Sequence, residues 1–308
     1  MDSLLKLSTE QVLDTTFDDL RLVTVNTFYP TQASYLFSDG TLIGQCARKV
    51  YLEKTGVSPS KLSARAYRIF DFGNIFEEHE INNYKKLGVY VKDHVKFGFP
   101  FGKDMNLLLS GEADVIAKID DKYIGVELKT SYGHSFISQH IKGYKRNPKK
   151  NDQYHIIDPL QSAPKAEHLL QVALYLYFFD VYAPKNGIAT KISDWRIIYM
   201  ARDMLIGAEY KVWLEEVSGD YVVKTKKIFS TEVGDMNEDI KLRDIYVGGI
   251  LNRYEFIYEH IKNKIVPTSE YSINDDWQCK YCKYLDLCKS IGSNSVPDML
   301  DVARQRHV

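Results

Sequence analysis

The chain has 308 residues, 44% of them hydrophobic, enough for a sizeable core without disulfides or a structural metal, arranged as one large domain with an accessory part or as two domains. With 40 basic and 41 acidic side chains the formal charge is -1, which argues against a protein that coats nucleic acid and restricts any such binding to local grooves. No uninterrupted apolar span reaches about 18 residues, and residues 1–20 mix Asp, Glu and Lys with short apolar groups. The expectation is a soluble protein, cytoplasmic or otherwise intracellular, with no membrane partner.

In chain order, residues 30–56 read as a helix around GQCARKVYLEKTG, ended by Gly56 with Ser58 and Pro59 beyond it. Residues 60–87 read as a further helix, because Ile69, Phe72, Ile75 and Phe76 recur at three- and four-residue steps and Gly88 closes the pattern. Strands are predicted at 89–99, 107–118 and 122–129, with turn chemistry at Asp120 and Asp121. The polar stretch 131–163, with Gly133, Gly143, Pro148 and Pro159, reads as a gate or an insertion. A dense helical pattern returns at 165–182, strands follow at 192–201, 207–216 and 220–228, a helix at 237–262, and a turn-rich tail from Ile265.

The stretch GEADVIAKIDDKYIGVELKTSYG sets Asp114, Glu127 and Lys129 across a predicted hairpin. Glu127 and Lys129 are two apart on one strand, so their side chains leave the same face, while Leu128 points into the core. Two carboxylates of this kind suit a hard divalent cation, Mg²⁺ or Mn²⁺, and a neighbouring lysine would offset negative charge developing on a phosphodiester. The bland alternative is a lysine paired to an acid on a solvated sheet face. Glu77 in FGNIFEEHE is a candidate further oxygen ligand, with Glu78 and His79 also able to face inward and Glu80 less so. Gln171 and Tyr175 lie one turn apart on an otherwise apolar helix, where a buried amide and phenol each need partners. Two basic groups, Lys142, Lys145, Arg146, Lys149, Lys150 and Arg48, Lys49, Lys54, Lys61, Arg65, Arg68, read as solvated surface or as phosphate contacts.

The four cysteines are Cys46, Cys279, Cys282 and Cys288, the last three forming C-x₂-C-x₅-C in WQCKYCKYLDLCKS. Four thiolates suit tetrahedral Zn²⁺ or a [4Fe-4S] cluster, and free core thiols are the third alternative. Trp277 and Tyr281 are candidates to shield such a centre.

GEAD, VELKT and QVALY, in that order, resemble the RecB-type branch of the PD-(D/E)XK nuclease superfamily. The resemblance implies an α/β fold: a restriction-endonuclease-like core with a mixed central sheet flanked by helices. It implies Asp114 and Glu127 as metal ligands, Lys129 as the catalytic lysine, and Gln171 with Tyr175 as the supporting pair. Such enzymes commonly carry a histidine ligand four residues after a glycine on the preceding helix; here that position is Glu77, four after Gly73, and His79 is displaced by two. The split cysteine quartet is similar to that of AddB-type subunits and the CRISPR-associated four-cysteine exonucleases. It implies a [4Fe-4S] cluster on Cys46, Cys279, Cys282 and Cys288, in a helical cap joining the N- and C-terminal parts. The organisation expected is 1–88 as an N-terminal helical region with the first cluster cysteine, 89–262 as the nuclease core and 263–308 as the cysteine-rich cluster region. The function implied is a metal-dependent DNA exonuclease on single strands or DNA ends, with a helicase or recombination partner. The rivals are a structure-specific endonuclease, a degenerate iron–sulphur DNA-binding factor and a zinc-ribbon scaffold.

Overall fold

A computed structural model describes residues 24–60, 64–133, 137–142, 163–185, 187, 192 and 194–298. The first half carries β1 (Thr27–Phe28), β2 (Ser34–Leu36), β3 (Leu42–Gly44), α1 (Ala47–Lys54), α2 (Ala64–Leu87), β4 (Tyr90–Phe101), β5 (Leu107–Ile119) and β6 (Lys122–Ser131). The second half carries α3 (Ala166–Leu176), β7 (Asp194–Ala201), β8 (Gly207–Val217), β9 (Asp220–Ser230), β10 (Gly234–Asp239), α4 (Val247–Lys262), β11 (Ile265–Val266), α5 (Trp277–Lys280), α6 (Leu285–Ile291) and β12 (Val296–Pro297).

These elements group into two compact units, both discontinuous in sequence. One gathers the described residues of Met1–Thr27, Cys46–Ile75 and Glu255–Val308; the other gathers Phe28–Gln45 and Phe76–Tyr254. Their borders do not coincide with the breaks expected at 88 and 262, because long-range packing rather than chain order defines them.

The larger unit is a mixed α/β structure. Its sheet runs in the order β5-β6-β7-β8-β9-β10, with β4 also paired to β5. Neighbours are antiparallel except β6 and β7, which are parallel, with Glu127 level with Ile197 and Lys129 level with Tyr199. A parallel pair needs a crossover, and α3 lies within the one that joins β6 to β7. The β5–β6 hairpin closes at Asp120 and Asp121, whose φ of 48° and 63° are the left-handed pair of a two-residue turn matched to the strand twist.

On one face of β6, Ile124, Val126 and Leu128 pack with Val115 and Ala117 of β5 and Ile81 of α2, each Ile, Val or Leu side chain contributing about 1.5–3 kcal/mol of apolar burial. From the alternate positions Glu127 reaches α3, which packs on β7 and β8 and buries every residue from Leu169 to Leu176. Gly125 is required here, since a Cβ on it would stand 2.3 Å from the Trp195 ring. Lys165, the residue before α3, offers no capping side chain, and its N–H instead donates to the Tyr199 hydroxyl at 3.0 Å. Beyond Leu176 the chain continues as a π-helical stretch, Tyr177–Tyr182.

Two expectations fail locally. Within 30–56 only Ala47–Lys54 is α-helical; the earlier part is a 3₁₀ turn at Pro30–Gln32 and the hairpin of β2 and β3. Turn chemistry wins there, with Asp39 accepting from the Thr41 N–H at 2.9 Å, Gly40 at φ 83°, and Gly44 at φ 86° where a Cβ would meet the Ala33 carbonyl. The helix expected at 237–262 starts only at Val247, because Gly234–Asp239 adds an edge strand to β9. Most of the polar stretch 131–163 lies outside the described residues. Among the described residues no helix is long and apolar enough to cross a membrane.

Candidate active site

Asp114, near the middle of β5, extends one carboxylate oxygen to the Leu128 N–H at 2.8 Å, so the acid is tied to the backbone of the neighbouring strand. Glu127, one residue earlier on β6, is fully buried. Its Oε1 accepts from Lys129 Nζ and, at 2.6 Å, from Gln171 Nε2. Gln171 Nε2 also donates to the Tyr175 hydroxyl at 2.8 Å, and that hydroxyl donates to the Glu112 carbonyl at 3.1 Å. The chain of contacts thus passes from Lys129 through Glu127, Gln171 and Tyr175 back to β5. The other oxygen, Glu127 Oε2, is buried and has no hydrogen-bond partner among the described residues.

Glu77 is half-buried on α2 and belongs to the same electrostatic group. Glu78 and His79 face solvent, and Glu80 accepts from Asn83 Nδ2 at 3.3 Å, so Glu77 alone of this run turns toward the acids. Three residues not foreseen, His94, Lys96 and Glu112, complete the cluster. His94 of β4 sets its Nδ1 2.9 Å from Glu112 Oε1 and 3.5 Å from Glu77 Oε1, and Lys96 Nζ lies 3.9 Å from Glu112 Oε2. The sequence signal was faint: an HxK pattern on a strand opposite GEAD, which counts only once the register pairs Lys96 with Glu112.

Burial, and next the charge of Asp114, pushes the Glu127 carboxyl up to about 8. Burial also raises Asp114, with Lys129 and the Leu128 N–H opposing, and burial plus the Asp114 charge raises Glu77. Burial alone would lower Lys129, but the carboxylates of Glu127, Asp114 and Glu77 outweigh it and the net shift is upward. Three acids that each resist ionisation beside a firmly charged lysine form a site short of positive charge. As they stand, Asp114 and Glu127 accept from N–H donors, and among the described residues no three His, Cys, Asp or Glu side chains are disposed to hold a metal ion.

The smaller unit contains the cysteines, all four of them half-buried free thiols. Cys46 precedes α1, Cys279 lies in α5 and Cys288 in α6, with the Cys282 N–H donating to the Cys279 carbonyl at 3.0 Å. Burial, then the charges of Cys46, Asp276, Cys282 and Cys288, pushes the Cys279 thiol up to about 11, so the four sulfurs stand within electrostatic reach of one another. Burial raises Cys288 as well, against the Arg48 guanidinium that bonds it. Arg48 is itself fully buried and donates to the carbonyls of Pro267, Gly292, Ser293 and Asn294 at 2.7, 2.5, 2.9 and 2.7 Å. Glu270 accepts from the Ala47 N–H at 2.7 Å.

Arg48 and Lys54 are therefore not phosphate contacts: the first is consumed by carbonyls, and the second is buried against the Thr27 carbonyl. The remaining members of the basic stretch 138–150 beyond Lys142 lie outside the described residues, as does Lys61. Trp277 and Tyr281, the rings expected to shield a centre, are 54% and 87% exposed; Tyr284, within electrostatic reach of Cys282, is buried, and its hydroxyl donates to the Val57 carbonyl at 3.1 Å.

Fold and cluster together define a mixed α/β protein with a central sheet flanked by helices and a buried acid–lysine–amide–phenol chain on it. No protein-family model matches the chain, and no curated protein does. Among solved structures it is similar to SSO0001, at 16% identity, over 93% of this chain and 96% of that one, with a TM-score of 0.46.

Proposed function

We propose that this protein is a divalent-metal-dependent deoxyribonuclease of the RecB-type PD-(D/E)XK class, an exonuclease acting on single-stranded DNA or DNA ends. The observation that carries the reading is Glu127 Oε2, a buried carboxylate oxygen without a partner among the described residues, beside two further acids raised by burial and by neighbouring carboxylates. A buried charge of this kind is tolerated when paired or when it serves a metal. By residue type the donor set suits a hard cation: Asp114, Glu127 and Glu77 would offer oxygen ligands to Mg²⁺ or Mn²⁺, although among the described residues they do not form a preformed ion-holding group.

The cation would supply Lewis-acid polarisation of a phosphodiester and acidify water. Lys129 keeps a full positive charge next to the acids and stabilises negative charge growing on the phosphate. Gln171 holds Glu127 by one oxygen, and Tyr175 holds Gln171, so Oε2 is fixed in direction before substrate arrives. Phosphate contacts in such a site bind without reading base identity and weaken with salt.

The cysteine quartet is read as the ligand set of a [4Fe-4S] cluster on Cys46, Cys279, Cys282 and Cys288, a clamp on the smaller unit with no redox task. Four free thiols, two of which, Cys279 and Cys288, are raised by burial and by the charges of the other cysteines, support a cationic centre among them. Unwinding, where the pathway needs it, comes from a separate helicase or recombination partner, as the chain has no helicase motif.

The test is an anaerobic preparation assayed on end-labelled single-stranded, duplex and circular DNA with Mg²⁺ and with Mn²⁺, beside Lys129→Ala. Cation-dependent shortening from ends that Lys129→Ala abolishes, with its fold and visible spectrum retained, is the expected result. Full cleavage by Lys129→Ala overturns the role of that lysine. Cutting of circles moves the reading to an endonuclease, and absence of cleavage with either ion moves it to a DNA-binding factor, which the lack of a preformed ion-holding group among the described residues favours.

A further inference from the structure

His168 takes no part in the chain of contacts from Lys129 to Tyr175, yet the fold sets it beside that chain. It stands in the first turn of α3, three residues before Gln171 and so on the same side of the helix. Its Nδ1 lies 2.9 Å from the Tyr199 hydroxyl, and the two rings are tilted together with centroids 5.6 Å apart. Tyr199 is fully buried and level with Lys129 in the parallel register of β6 and β7. Residues level in a parallel pair leave the same face of the sheet, on strands about 4.8 Å apart. The imidazole is therefore tied to Tyr199, next to the lysine.

The contact determines what the ring can offer. The Tyr199 hydroxyl accepts from the Lys165 N–H at 3.0 Å; when it donates to Nδ1, the imidazole proton sits on Nε2. Among the described residues Nε2 has no hydrogen-bond partner, and His168 is half-buried, so this edge of the ring is the open one. Burial, and next the charges of Lys129, Lys165 and His140, hold the imidazole well below the usual histidine range, so it stays neutral. All three of those neighbours are bases. Lys165 is engaged by Glu167 at 3.3 Å, whereas Lys129, although bonded to Glu127, is an ammonium with three donors and keeps others. A second cation at this place would be drawn to Glu127 as Lys129 is. A neutral N–H remains available to a different acceptor, and the positive end of α3, which has no capping side chain, favours an anionic one.

We propose that His168 Nε2 is a phosphate contact: it donates to a non-bridging phosphate oxygen of a bound DNA strand, beside Lys129, with Tyr199 orienting the ring from β7. This rests on the DNA-binding part of the nuclease reading, that a phosphate comes to Lys129, and it needs no metal ion.

The experiment uses the full chain in a chelator, so that no strand is cut, with ¹⁵N-labelled histidine followed by NMR. The probes are inorganic phosphate and a short single-stranded oligonucleotide. In the protein alone His168 is expected as the neutral Nε2–H tautomer, and its Nε2 resonance shifts as the oligonucleotide is added. His168→Leu weakens oligonucleotide binding about tenfold, the worth of one hydrogen bond to a charged group. His168→Gln, whose amide offers an N–H near the Nε2 position, restores most of that loss. An Nδ1–H tautomer that persists with oligonucleotide bound, a His168 resonance that the oligonucleotide leaves unmoved, or His168→Gln as weak as His168→Leu overturns the assignment. A response to inorganic phosphate with none to the strand also overturns it, and marks a site for the free anion. Cleavage with Mg²⁺ or Mn²⁺, measured on the same preparations, separates the two ideas. Cleavage with His168 silent sinks this inference and leaves the nuclease reading standing; a responsive His168 without cleavage sinks the nuclease reading and leaves the phosphate contact.

Discussion

Replacing Glu127 with glutamine tests whether a buried carboxylate lacks positive charge. The side chain keeps its shape, and Oε1 of the new amide still accepts from Lys129 and Gln171. What disappears is ionisation. In the folded chain the Glu127 carboxyl is raised from 4.5 to about 8, so the native state binds that proton more tightly than the unfolded state. Its contribution to stability is complete below about 4.5 and is lost as pH rises through about 8. At about 1.4 kcal/mol per pH unit, the loss is on the order of 5 kcal/mol. Wild type and Glu127→Gln should therefore have similar stability near about pH 4.5 and separate steadily above it, with the variant the more stable by several kcal/mol at about pH 9. Urea denaturation across this range in a chelator measures the difference. Saturating Mn²⁺ should then restore wild-type stability by about 2.7 kcal/mol at a hundredfold excess over its dissociation constant, and leave the variant unmoved. A constant offset between the two proteins across the whole range would refute the argument, because it would mean that Glu127 is charged and satisfied in the folded chain.

Two further outcomes concern the smaller unit. Cys282→Ala should abolish the brown colour and lower bound iron in an anaerobic preparation, and an unchanged visible spectrum and iron content would dismiss the cluster. Arg48→Met strands four carbonyls that share one guanidinium and should destabilise the chain by roughly 3–5 kcal/mol in thermal or urea unfolding, with Arg48→Lys recovering only part because an ammonium has fewer donors. A loss below about 1 kcal/mol would mean that the carbonyls find other partners.

Much of the sheet was legible locally. The strands of the central hairpins and α2 follow the expected positions within a few residues, because each carries a hydrophobic period of two or of three to four bounded by Gly, Asp or Pro. The acid–lysine–amide–phenol set was legible as well, because polar groups at fixed offsets on an apolar strand and helix require one another as partners. The 30–46 stretch was misread because Gly40 and Gly44 act through positive φ, which a helical pattern count ignores. Arg48 was misread because a basic residue next to others looks solvated until the carbonyls that surround it are in place.

By itself the sequence determined what local stereochemistry can encode: the alternation that sends Glu127 and Lys129 to one face, the turn at Asp120 and Asp121, and the one-turn spacing of Gln171 and Tyr175. Only the tertiary structure decided which acids share a charge field, that His94 and Glu112 join them, that Glu127 Oε2 is left without a donor among the described residues, and that Arg48 binds the C-terminal carbonyls. Periodicity is a property of neighbours along the chain. Burial and charge coupling depend on segments far apart in sequence, here brought together by strand register and crossover, and these are absent until the chain has folded.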